Sequence, residues 1–126
     1  MYDVGVVTQF EAAHRLVGDF GPAQRFHGHT YRVEATVSGT TLKADGTLFD
    51  IVLLQNALAT VVSRLHYQNL DEVEGLNTRN TTAEVVADYI WEQVAPALRQ
   101  TGLVTLRIAV WESPNAWAGV TRALPQ

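Results

Sequence analysis

The sequence predicts an α+β fold in which four strands and two helices follow the order ββααββ. Two stretches near the start and two near the end show the alternation of apolar and polar side chains that is typical of strands. Between them lie two segments whose apolar residues recur at helical spacing. The 126 residues fit one domain, 1–126, since the sequence contains no repeat, linker or low-complexity segment.

The first two strands are predicted from their β-branched residues and their two-residue period. The first runs from Tyr2 to His14. Residues 15–26 contain glycines and a proline, so we expect a loop there. The clearest strand runs from Thr30 to Gly39, where odd-numbered positions are apolar and even-numbered positions are mostly polar. An Asp45-Gly46 turn is expected to follow it.

Each predicted helix begins with a capping signal. Asp50 is expected to cap the first helix, whose apolar face comprises Ile51, Leu54, Leu58, Val61, Val62 and Leu65. Residues 69–80 are polar and predict a connection. Thr81 and Glu84 have the spacing of a capping box, which predicts the start of the second helix. Pro96 lies near the expected end of that helix.

Two further strands are predicted at the end of the chain. The segments Leu103–Glu112 and Ala116–Arg122 are strand-like, and Pro114 with Asn115 indicates a turn between them. The sequence therefore predicts an antiparallel sheet with two helices.

Composition excludes several classes of protein. The net charge is −4 and the nine Lys and Arg residues form no run, so we expect no nucleic-acid binding. The chain has no cysteine, which excludes disulfides, thiolate ligands and a cysteine nucleophile. No apolar run is long enough to span a bilayer and no signal peptide is evident, so a cytoplasmic location is expected. Only 17% of residues are charged, which hints that other copies of the chain cover some surface.

Three of the four histidines are spaced to meet at one site. His27 and His29 are two residues apart at the start of a strand, so their side chains share a face. His14 comes beside them if the first two strands pair antiparallel. Three histidine ligands with one open position are the pattern of a catalytic zinc site, and Gly28 removes a side chain from the opposite face. The spacing alone leaves open that these are three ordinary histidines.

A cupin metal motif is a competing interpretation. Gly21, His27, His29 and Glu34 approximate its spacing. However, Glu34 lies on the opposite face of a regular strand from the two histidines, and two long helices do not fit a jelly roll.

Taken together, several segments resemble the 6-pyruvoyltetrahydropterin synthase family, which includes the 6-carboxytetrahydropterin synthases of queuosine biosynthesis. The similarity runs from about Thr8 to the last strand. Its order and spacing make it specific, although each piece alone is weak. The matching pieces are Phe10–Leu16, His27–Tyr31, Phe49–Asp50, Asn69–Leu70, Thr81–Glu84 and Trp111–Ser113.

The resemblance implies the tunnelling fold, with an antiparallel sheet and two helices on one of its faces. In that family, subunits associate through sheet edges into trimers, two trimers commonly form a hexamer, and the active site lies between subunits. We therefore expect a homo-oligomer, typically a hexamer, that binds a pterin-like small molecule. The resemblance assigns Zn2+ to His14, His27 and His29 as a Lewis acid, and assigns the pterin anchor to Glu112. Strand parity also places Glu112 at the end of an apolar row. The resemblance places Thr82 and Glu84 near the ring, although helix capping alone would explain the Thr81 and Glu84 pair.

The sequence departs from that family at the positions that transfer protons. Ala23 occupies the position of the catalytic cysteine, while His66 and Tyr67 occupy the positions of an Asp-His pair. Alanine transfers no proton, so the first hypothesis is a pterin-binding protein without the usual lyase reaction. The second is an enzyme with altered chemistry that uses His66 or Tyr67. The third is an assembly module with an empty pocket. Under each of the three hypotheses, the three histidines could bind zinc or could be retained without a bound metal.

Overall fold

The computed structural model describes residues 1–99 and 102–125, in which five strands and two α-helices form the fold. The predicted ββααββ order is confirmed, with one additional short strand between the two helices. Three short 3-10 turns lie at Gly21–Gln24, Leu70–Glu72 and Ala95–Ala97. The strands are β1 (Tyr2–His14), β2 (His27–Gly39), β3 (Gln68–Asn69), β4 (Leu103–Ser113) and β5 (Ala116–Ala123), and the helices are α1 (Ile51–Ser63) and α2 (Ala83–Val94).

All five strands form one sheet in the order β3-β1-β2-β4-β5. β1 and β2 pair antiparallel along their whole length, so that His14 lies directly opposite His27. The predicted antiparallel strands all pair antiparallel, while the short strand β3 pairs parallel with β1 through Gln68 and Asn69 and makes the sheet mixed. The chain reaches this edge because Tyr67, with a φ of 59°, turns it and donates its N–H to the Glu11 carbonyl at 2.6 Å.

One face of the sheet packs against both helices and forms the core, as the resemblance implies. The β-branched and aromatic side chains on that face are almost completely buried. The removal of their apolar surface from water is the main favourable term in folding. The Trp91 indole N–H on α2 donates to the Leu106 carbonyl on β4 at 2.8 Å and ties helix to sheet. The buried strand residues of this face include Val6, Phe10, Ala12, Tyr31, Val33, Ala35, Val37, Leu106, Ile108 and Val110.

The helix starts confirm one capping prediction and correct another. The Asp50 carboxylate accepts the Val52 N–H and caps α1, as expected. Thr82, one residue later than the capping-box pattern predicts, caps α2 by accepting the Val85 N–H. The Thr81 side chain is instead turned inward and fully buried. Ile51 was expected on the apolar face of α1 but is exposed, at the first residue of the helix.

The two edges of the sheet differ in how they are covered. β5 forms one edge, with alternate residues exposed. At the other edge, β3 pairs only with Ala12 and Ala13, so within the described residues most of the long strand β1 has no neighbour there. Open edges of this kind are ready to pair with another strand. None of the helices in the described part of the chain is long and apolar enough to cross a membrane.

Candidate functional site

The structure brings His14, His27 and His29 together where β1 ends and β2 begins. One candidate ligand nitrogen from each ring lies within 4.8 Å of the other two. The three ring centroids are separated by 4.6 to 5.2 Å. His14 is fully buried, whereas His27 and His29 are half-buried and open the cluster toward solvent. The cluster therefore forms through the antiparallel pairing of β1 and β2, on which the sequence-based expectation depended.

Two of the rings are oriented by backbone carbonyl groups. The His14 Nδ1 lies 2.8 Å from the Thr81 carbonyl oxygen, and the His27 Nδ1 lies 2.6 Å from that of Arg25. A carbonyl oxygen only accepts, so each Nδ1 carries the hydrogen and donates it. In that arrangement, Nε2 is the ring nitrogen of each histidine that is left to bind a metal ion. Outer contacts of this type commonly fix the orientation of metal-binding histidines.

Burial keeps two of the rings in the form that binds metals. Removal from water lowers the pKa of His14 below its usual value, although the contact with the Thr81 carbonyl opposes this. Burial also lowers the pKa of His29, against the attraction of the Glu112 carboxylate. Both rings are therefore neutral at pH 7. Burial raises the pKa of the Tyr31 hydroxyl, which stays protonated with its oxygen 3.4 Å from the His14 Nε2.

This donor set fits zinc. Three imidazole nitrogens with an open side match the three protein ligands of a catalytic zinc site, whose remaining position takes water or substrate. The ligand set contains no carboxylate to balance the charge of the ion. Glu112 and Asp71 lie close enough to act electrostatically on His14, and they supply negative charge just outside the three rings.

Glu112 stands beside this cluster. It lies half-buried in a bulge of β4 between Trp111 and Ser113, where the register with β5 shifts. Its carboxylate acts electrostatically on His14 and His29.

Thr82, another predicted site residue, caps α2. Its hydroxyl accepts the Val85 N–H at 3.3 Å.

Two other predicted positions, Ala23 and Glu84, lie outside the cluster. Glu84 is exposed in the first turn of α2. Ala23 lies in the 3-10 turn before β2, where its carbonyl oxygen accepts the Leu16 N–H at 2.9 Å. The loop is therefore held against the end of β1 by backbone contacts, and the Ala23 methyl group offers no proton for transfer.

His66 and Tyr67 lie at the open edge of β1. The Glu11 N–H donates to the His66 Nδ1 at 3.1 Å, so the ring presents its other nitrogen as a donor. The His66 and Tyr67 rings are in contact, with centroids 3.8 Å apart and planes tilted by 35°, and Tyr67 is 79% exposed. Tyr67 and His29 both line an open cleft of about 540 Å³ at this edge. The pair is thus near the histidine cluster but not part of it.

Sequence reasoning missed Asp71 and Thr81. The Thr81 hydroxyl donates to the Asp71 carboxylate at 2.7 Å and also lies 3.2 Å from the His14 Nδ1. The other Asp71 oxygen accepts the N–H of Arg15, the residue after His14, at 2.9 Å. The one available signal was that Asp71 follows the Asn69–Leu70 segment, which the resemblance includes.

Comparison with known proteins gives a consistent result. The family model described as 6-pyruvoyl tetrahydropterin synthase matches residues 3–123. The chain is 34% identical over 120 residues to the 6-pyruvoyl tetrahydrobiopterin synthase of Drosophila melanogaster, covering 84% of this chain and 71% of the fly protein. It is 32% identical over 106 residues to the dihydroneopterin monophosphate aldolase of Pyrococcus furiosus, covering 83% and 84% of the two chains.

A solved structure agrees with these sequence matches. The 6-pyruvoyl tetrahydropterin synthase of Caenorhabditis elegans superposes with a TM-score of 0.82 at 26% identity, over 96% of this chain and 95% of the other. The same arrangement of sheet and helices therefore extends over nearly the whole chain.

Proposed function

The chain belongs to the 6-pyruvoyl tetrahydropterin synthase family, and from that premise we propose that it binds a pterin beside a zinc ion held by His14, His27 and His29. Its function lies in pterin processing, as in the relatives. The observation that carries the zinc proposal is the convergence of three imidazoles, two of them oriented by carbonyl groups. Zinc bound there supplies a Lewis acid for an oxygen of the ligand's side chain.

Glu112 is the proposed anchor for the pterin ring. A carboxylate binds two adjacent N–H groups of a planar ring in a paired arrangement, as it binds the fork of an arginine. Glu112 is half-buried and lies beside His14 and His29, so a ring held there would direct its substituent toward the histidines. Thr82 and Glu84, at the start of α2, are proposed to flank the ring.

Titration with biopterin, followed by fluorescence, tests the anchor. Glu112→Gln should weaken binding by about 10-fold or more, because a hydrogen bond to a charged group contributes about 1.5–3 kcal/mol. Glu74→Gln removes the same charge from an exposed position and should leave the affinity unchanged. Equal affinities for the wild type and Glu112→Gln would refute the proposed pocket.

We further propose that the usual lyase reaction is absent. Ala23 replaces a thiol that transfers a proton, and general acid–base groups typically contribute about 10²–10⁴ to a rate. The triple variant Ala23→Cys, His66→Asp, Tyr67→His restores the three family residues. With 7,8-dihydroneopterin triphosphate, it should form product faster than the wild type by at least about 100-fold. A wild type as active as the triple variant would contradict the proposal.

One observation favours a second candidate, an enzyme with altered chemistry. The Glu11 N–H orients the His66 ring so that its second nitrogen is a donor. Tyr67 contacts that ring and, together with His29, lines the open cleft. The Pyrococcus furiosus relative is named for a different reaction, an aldol cleavage of a dihydroneopterin phosphate. Cleavage of dihydroneopterin phosphates by the wild type would support this candidate. Rates that are unchanged in His66→Ala and Tyr67→Phe would contradict it.

Assembly is the remaining part of the proposal. The open edge of β1 and the edge strand β5 are of comparable length, so that β5 of one copy can pair with β1 of the next. Repeating this contact around an axis closes a ring. We propose a trimer formed in this way and a hexamer of two trimers. Light scattering coupled to size exclusion tests it, and a monomer at micromolar concentration would contradict it.

A further inference from the structure

We propose that Asp71 is a positioning residue that acts through Thr81 to fix the tautomer and orientation of the metal-facing His14. The inference rests on the proposed zinc site, because it assigns a role in metal binding to residues that make no contact with the metal position. It adds two residues, Asp71 and Thr81, to the three histidines.

Two contacts from Thr81 reach the His14 ring, and Asp71 in turn holds Thr81 and the backbone of Arg15. The Nδ1–H donates to the Thr81 carbonyl at 2.8 Å, with the Thr81 hydroxyl oxygen 3.2 Å away. That hydroxyl donates to one oxygen of Asp71 at 2.7 Å. The second Asp71 oxygen accepts the Arg15 N–H at 2.9 Å. The Asp71 carboxylate thus holds both the backbone that follows His14 and Thr81, the residue that contacts the His14 ring.

The direction of these hydrogen bonds decides which tautomer is favoured. Because the Thr81 hydroxyl gives its proton to Asp71, its oxygen can only accept from His14. Both Thr81 oxygens therefore require a hydrogen on Nδ1, which leaves the Nε2 lone pair for the metal. Without the carboxylate, the hydroxyl is free to rotate and to donate to Nδ1, and it then opposes the tautomer that the Thr81 carbonyl favours.

The environment makes this arrangement costly to disturb. His14 and Thr81 are fully buried, so no water replaces a lost partner at either side chain. An isosteric Asp71→Asn change leaves one acceptor oxygen where two are used. Either the Thr81 hydroxyl or the Arg15 N–H then faces an amide NH2 group, and the negative charge beside the cluster is lost.

Zinc affinity measured by competition with a chromophoric chelator tests the inference. Outer-shell partners of metal ligands typically contribute about 10–100-fold in affinity, and we expect a loss in that range for Asp71→Asn. Thr81→Val keeps the backbone carbonyl and removes the hydroxyl, so its loss should be smaller. Thr81→Ser keeps the hydroxyl and should bind zinc as the wild type does.

The matched control lies at the other end of the same strand pair. There Asp3 accepts the Ser38 hydroxyl across β1 and β2, far from the histidines. Asp3→Asn removes the same charge from the same kind of pair and should leave zinc affinity unchanged. An equal loss in Asp3→Asn and Asp71→Asn would indicate a general effect on the fold and would overturn the inference.

A second measurement does not depend on zinc. Ring ¹⁵N spectra of the metal-free protein report the tautomer of each of its four histidines. His14 should carry its hydrogen on Nδ1 in the wild type and should show a mixture in Asp71→Asn. An unchanged tautomer with unchanged zinc affinity would overturn the inference. A wild type that binds no zinc but shows the expected tautomer change would refute the proposed zinc site and leave this inference standing.

Discussion

The histidine cluster and the His66–Tyr67 pair differ in how completely the chain determines their surroundings. His14 is fully buried, and its ring nitrogen is held by a residue far along the chain. Tyr67 is 79% exposed and lies in the left-handed backbone region at an open sheet edge. Both regions adjoin the same short stretch of β1, since Glu11 bonds to His66 and Ala12 pairs with His29.

The proposed metal-binding and proton-transfer parts of the site therefore depend on different kinds of contact. The three histidines are brought together and oriented by contacts inside one chain. In the proposed assembly, a strand of another copy covers β1 and completes the surroundings of the edge pair. We therefore expect residue changes at the edge to leave the histidine cluster undisturbed.

The largest expected effect separates the two regions by their effect on metal binding. His29→Ala removes one of three proposed ligands and should weaken zinc binding by more than about 100-fold, beyond the usual effect of an outer-shell partner. His66→Ala should leave the affinity within about twofold, since it shares no ligand contact with the cluster. Competition titration of both variants measures this, and comparable losses in the two would show that the regions act as one unit.

The next effect concerns backbone strain at the edge. Tyr67 adopts a φ of 59°, which glycine accepts without a steric cost. Tyr67→Gly should therefore be more stable than Tyr67→Ala by about 1 kcal/mol, because both variants lose the same ring and only alanine keeps the strain. For a chain of this size, the melting temperatures should differ by ~4 °C. Equal melting temperatures would show that the edge is unstrained.

The fold was largely predictable because its elements are long and periodic. β1 spans the predicted range Tyr2–His14, and the alternation in β2 continues to His27, so the convergence of the histidines followed from strand parity. β3 was not predictable, since two residues show no period and depend on the turn at Tyr67. Local pattern also misassigned Thr81, because a capping motif competed with a contact to a residue 67 positions away. Parity predicted Glu112 at the end of an apolar row, whereas the bulge beside it was not visible in the sequence.

The smallest effect concerns how the histidine region is anchored to α2. Asp88 accepts hydrogen bonds from Arg79, two residues before Thr81, and from Arg122 on β5. Burial acts to raise the pKa of Asp88, but the hydrogen bonds from Arg79 and Arg122 outweigh it and hold the pKa below its usual value. Asp88→Asn should lower the free energy of unfolding at pH 7 by about 0.5–1 kcal/mol.

The pH dependence gives this last prediction its sign. A carboxyl group whose pKa is lower in the folded chain stabilises the fold above its unfolded pKa of about 3.9, and this stabilisation is lost as pH falls through the folded value. The difference between the wild type and Asp88→Asn should hold from pH 7 to about pH 5 and shrink below about pH 4. Urea titrations across that range measure it, with Glu92→Gln, an exposed partner of the same Arg122, as the control. A difference that persists undiminished at pH 2 would mean that Asp88 supports the segment before Thr81 through packing rather than through its charge.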